Sequence, residues 1–156
     1  MRLLLALLSM MTIPLLAQEP LPLRGPAAER LEQYKKIRMM EALRLDEETS
    51  LRFFARYNKH QEQLRSIGMK RDSLIDELEA YRRRNSSDAD YEKVFKSLVD
   101  LGHDGVKERE RFLSELKSIL STKQIAEYLI FERRFYQNLR ELMREMQQER
   151  RRGMMR

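Results

Sequence analysis

Few residues in this chain are of a type and spacing that could do chemistry. His60 and His103 are the two histidines, and neither has a second histidine at i+4 or lies in an HExxH pattern. Both are weak candidates as metal ligands, His103 with Asp104 beside it, and otherwise read as helix-surface or hinge histidines. Met143 and Met146 share a helix face and are equally weak candidates for thioether coordination of Cu(I). Such methionines more often form adaptable packing. The absence of cysteine removes disulfides, thiolate nucleophiles and sulfur-based zinc sites. The 25 acidic residues face 31 basic ones along helix-like runs, and no carboxylate pair stands out as a catalytic dyad. No GxSxG elbow or glycine-rich phosphate loop is present. The expectation is binding without catalysis or cofactor: no enzyme.

What remains is a surface. Phe53, Phe54 and Tyr57 crowd one run, and Tyr128, Phe131, Phe135 and Tyr136 crowd another. Basic residues interleave them. An apolar patch with a positive rim suits a protein partner or an unfolded chain, which makes Phe54, Arg56, Tyr57, Tyr128, Phe131, Arg133, Arg134 and Phe135 the candidate partner-binding residues. The same rings could equally form the seam of a homodimer.

The elements that must position these residues begin after an unusual N-terminus. MRLLLALLSMMTIPLLAQEP places Arg2 before the apolar run Leu3–Ala17, the layout of a secretory signal peptide over 1–17. An uncleaved anchor is the competing reading. A run of 15 residues spans only about 22 Å, and Pro14 interrupts it. Export to the periplasm is therefore expected, with protein partners and peripheral contact with envelope surfaces rather than nucleic acid. Loss of Arg2 leaves the chain basic, since 1–17 holds no acid.

QEPLPLRGP, 18–26, reads as an extended lead-in, and Pro26 suits a helix first turn. A helix is expected near 27–44 on Leu31, Tyr34, Ile37, Met40 and Leu43. LDEET, 45–49, ends it, and Asp46 can cap a second helix near 47–84 with Leu51, Phe54, Tyr57 and Leu64 on its face. NSSD, 85–88, leads into a third helix, near 88–119, bent or weakened at Gly102 and Gly105. Ser121 caps a fourth, near 122–150, with Gln124 in the reciprocal place of a capping box. Residues 151–156 are expected as a disordered basic tail. The second and third helices would be about 57 Å and 48 Å long, too long for a sphere of this mass. An open all-α arrangement of antiparallel helices, dimeric so as to bury more surface, follows.

The signal peptide, the helix order and the corner LSTKQ together resemble the periplasmic LTxxQ family, which includes the Spy and CpxP stress proteins and related heavy-metal sensors. Leu120, Ser121 and Gln124 match one copy of the motif, with Ser for Thr. Leu45, Asp46 and Thr49 stand at the other, with Asp for Thr and Thr for Gln. FERRFYQNLRELM, 131–143, is similar to the stretch that follows the motif in the sensor-like branch. The resemblance implies an elongated helical hairpin dimerised into a cradle. It also implies an ATP-independent chaperone or envelope-stress adaptor, or a metal-responsive sensor linked to an extracytoplasmic-function (ECF) sigma factor or a sensor kinase. A non-catalytic structural envelope protein is a further alternative. The paired histidines typical of strong metal-sensing sites are not in this chain.

Overall fold

A computed structural model describes residues 25–154, so the expected signal peptide and most of the lead-in lie outside the described residues. The chain is all-α: α1 Pro26–Leu43, α2 Glu47–Arg84, α3 Asp88–Leu116 and α4 Thr122–Met154. It forms a four-helix bundle in which α2 packs on α3 and α1 packs on α4. Both pairs are antiparallel: His60 meets Glu108, and Tyr81 meets Tyr91. Likewise Lys35 meets Glu132, and Gln124 meets Leu43.

Local chemistry sets the helix ends. Pro26 opens α1, and its missing N–H costs nothing in a first turn. Asp46 accepts from the Thr49 N–H at 2.7 Å and caps α2. This places its carboxyl below the ordinary range, chiefly through that backbone bond. Arg44 and Asn85 end α1 and α2 in the left-handed conformation, at φ 51° and 49°. Their own N–H groups donate to the Glu41 and Arg82 carbonyls, and those of the next residues, Leu45 and Ser86, to Met40 and Tyr81. The Asp90 carboxylate takes the Ser87 hydroxyl at 2.8 Å and its N–H at 3.2 Å.

The core sits where all four helices meet. Met39 and Leu43 of α1, Phe53 and Tyr57 of α2, Phe112 and Leu116 of α3, Leu120 at the corner and Tyr128 of α4 form one buried cluster. Phe53 touches Tyr128 edge-on at 5.9 Å, and Tyr128 touches Phe112 edge-on at 5.7 Å. Further along α2 and α3, Val94 and Leu101 are the buried apolar side chains of the hairpin extension.

Several expected faces are corrected. On α1 the buried lane is Lys35, Met39 and Leu43, while Tyr34, Ile37 and Met40 are exposed. Steps of three slip roughly 60° backwards round a helix, so a run of them cannot stay on one side. Steps of four drift by only about 40°. On α2, Leu51 is 70% exposed and Phe53 is fully buried, because the lane toward Tyr57 runs through Ser50 and Phe53. Helix α3 is continuous through Gly102 and Gly105 but stops at Leu116, short of 119. Helix α4 runs to Met154, so the expected disordered tail is helical through 154.

Candidate functional site

The structure divides the aromatic-basic patch. Tyr57 and Tyr128 are core residues, 0% and 5% exposed, and cannot face a partner. Phe54 and Phe131 are half-buried against that core, and Phe135 stacks on Phe131 at 5.8 Å. Arg133 and Arg134 are exposed, whereas the half-buried Arg56 donates to the Arg52 carbonyl at 3.0 Å. The expectation made all of these rings candidate partner-binding residues. In fact the helix phase turns Tyr57 and Tyr128 inward and leaves Phe54 and Phe135 at the margin.

Two buried polar clusters were not foreseen. In the first, Lys35 lies between α1 and α4, 2% exposed, with its Nζ 2.9 Å and 3.0 Å from the two Glu132 oxygens. Only the second contact is aligned as a hydrogen bond, leaving Oε1 without one. Nζ also donates to the Tyr136 hydroxyl at 3.1 Å. Three rings surround the ammonium, with Tyr136 nearest at 4.5 Å from centroid, then Tyr57 at 5.4 Å and Phe135 at 5.6 Å. Ring faces are electron-rich and stabilise such a cation. Burial opposes the charge on Lys35, but Glu132 and Tyr136 outweigh it and hold the ammonium above its ordinary range. Burial pushes the Glu132 carboxyl up, against the pull of Lys35.

The second cluster joins α2 to α3. The His60 ring lies parallel to Phe112, centroids 4.1 Å apart, and its Nδ1 is 2.8 Å from Glu108 Oε1. In the neutral ring Nδ1–H donates to that carboxylate. Arg111 grips Glu108 through Nε at 2.9 Å and Nη2 at 2.6 Å, and also pairs with Glu115. Burial lowers the His60 pKa, against the opposing pull of Glu108. Arg111 and His60 hold Glu108 below the ordinary carboxylate range, overcoming burial. Of the weak metal candidates, His60 is thus engaged in the fold, His103 and Met146 are exposed, and Met143 is half-buried. Among the described residues no group of three His, Cys, Asp or Glu side chains is placed to hold a metal ion.

The LSTKQ corner holds its expected box and adds a function to it. The Gln124 side-chain oxygen accepts from the Ser121 N–H and hydroxyl, each at 3.0 Å, and the Ser121 hydroxyl accepts from the Gln124 N–H at 3.2 Å. The Gln124 amide then donates to the Leu43 carbonyl at 3.1 Å, tying the start of α4 to the end of α1. A capping signal in sequence says nothing of that 81-residue reach.

Leu129 and Ile130 of α4 are exposed beside the expected rings, and a further exposed apolar surface lies outside that patch. On the α2–α3 extension Met69, Ile75, Phe95, Val99 and Val106 face solvent, Val99 at 60% exposure. Ile75, Leu78, Glu79, Arg82, Tyr91 and Phe95 line an open groove of about 310 Å³ there. Phe95, Val99 and Val106 recur at steps of four and seven, a second apolar lane beside the buried one of Val94, Leu101 and Phe112. Among the described residues no helix is long and apolar enough to cross a membrane. No family model, curated protein or solved structure matches the chain.

Proposed function

We propose that the protein is an exported, ATP-independent holder of non-native or partner proteins, a chaperone or envelope-stress adaptor of the Spy/CpxP kind. The observation that carries this reading is the unpartnered apolar lane Phe95–Val99–Val106 with Ile75, set on a hairpin extension. Patches of this sort on long helices suit contact with unfolded or partner chains. The Ser121–Gln124 corner supports the LTxxQ resemblance. In this reading the chain is a dimer forming an open cradle, and binding rather than bond-making is its activity. Exposed Arg133 and Arg134 add attraction for acidic segments, weakened as salt screens it.

The test is suppression of aggregation of an unrelated unfolding protein, without ATP. Replacing Phe95 and Val99 together by Ser should abolish most of the holding while helicity stays unchanged. Holding that survives this double replacement, or no holding by the parent chain, sinks the reading. Sedimentation of the same samples reports the dimer separately.

A further inference from the structure

We propose that His60 is an acid-sensitive latch, whose protonation loosens α2 from α3 where the four-helix core gives way to the projecting hairpin. The position is the first argument. His60 is buried on the same lane as the core residues Phe53 and Tyr57, and its stacking partner Phe112 is itself a core ring touching Tyr128. One turn N-terminal to Glu108, Gly105 is buried in α3, and Gly68 and Gly102 stand in open space on the extension. Glycine weakens a helix interior, so the segments just beyond the latch are the ones least able to hold together without it.

Chemistry is the second argument. A neutral imidazole needs one acceptor for Nδ1–H, and Glu108 supplies it at 2.8 Å. The imidazolium carries a full charge, which the buried α2–α3 contact against the Phe112 face desolvates. The charged groups facing it come from α3: Glu108, then Arg109 and Arg111, with Glu115 clamped behind Arg111. From α4, Tyr128 stands edge-on to Phe112, the ring that His60 stacks on. From α1, Lys35 sits over Tyr57, one turn along α2 from His60. Glu108 is already committed to Arg111 by a two-toothed contact, so it offers the new charge less than a free carboxylate would.

The sign is fixed by linkage. Burial lowers the native His60 pKa, so the opened state binds the proton first. Closure is at full strength above the ordinary value of 6.5 and weakens as pH falls from there toward the native pKa. One proton gives about a tenfold change in the opening constant per pH unit within that window. The hairpin that carries the proposed partner surface is what the latch would free, but the experiment reads the latch itself.

Hydrogen exchange of the intact purified protein, followed by mass spectrometry between about pH 8 and about pH 5 and corrected for intrinsic rates, tests this. Amides around Tyr57–Leu64 and Gly105–Phe112 should lose protection about tenfold per pH unit below that value, ahead of the α1–α4 pair. His60→Phe keeps a ring against Phe112 and should flatten the profile. Glu108→Gln keeps an acceptor, removes the negative charge and should shift the onset further down in pH. A flat parent profile overturns the proposal, as does a His60→Phe profile like the parent's. Loss of protection in both helix pairs in step also overturns it, since that is global acid unfolding.

Discussion

Lys35 with Glu132 and His60 with Glu108 are two buried base–carboxylate pairs in one small protein, and they are built for opposite behaviour. Lys35 has a carboxylate, a phenol and three rings around it, so its charge is kept through all ordinary pH. Its raised pKa means that its stabilisation is full below the ordinary 10.5 and is lost only as pH climbs beyond it. His60 has one acceptor and one ring face, and it titrates on the acid side of neutrality. The difference teaches that burial alone does not make a switch. Intrinsic basicity, 10.5 for the amine against 6.5 for the imidazole, and the number of compensating partners together decide whether a buried base stays charged or stays neutral.

The largest expected effect comes from breaking the permanent pair. Lys35→Met leaves Glu132 buried without its cation and should lower stability by about 3–5 kcal/mol, read as the urea midpoint at neutral pH. Adding Glu132→Leu should restore most of that loss, because the uncompensated charge goes too. A single variant as stable as the parent would show that Glu132 takes up a proton without penalty, and the contrast with His60 would collapse. A smaller effect is expected at the corner that joins the pairs. Gln124→Ala removes the side-chain half of the capping box and the link to Leu43, leaving the Ser121 hydroxyl on the backbone N–H, and should cost about 1–2 kcal/mol, more than Ser121→Ala. The capping box alone ranks the two the other way, so chemical denaturation of both variants separates local from tertiary roles. The smallest effect lies on the extension. Gly102→Ala meets nothing within 4 Å and should raise stability by about 0.5–1 kcal/mol. Hydrogen exchange should assign that gain to the hairpin, leaving the Lys35 region unchanged.

Helix number and boundaries were largely legible because they are local. Prolines, capping side chains and turn residues act within a few positions, and Pro26, Asp46, Ser87 and Ser121 all stand where their chemistry predicts. The phase of the apolar faces was legible only in part. Apolar residues outnumber the sites the core can hold, so Tyr34 and Leu51 were indistinguishable from Met39 and Phe53 until neighbouring helices were in place. The placement of Tyr57 on a binding surface failed for the same reason.

The buried charges were illegible on different grounds. Lys35 occupies an apolar lane of α1 and Glu132 one of α4, and each alone looks like an ordinary polar interruption. The two residues are 97 positions apart in the chain, and their meeting depends on the antiparallel register of α1 and α4. By itself the sequence determined four helices and their caps, since short-range hydrogen bonding and backbone sterics need no distant partner. Which side chains are buried, which charges are paired and which apolar lane stays open were decided only by the tertiary structure, because desolvation depends on what the rest of the chain lays over a residue.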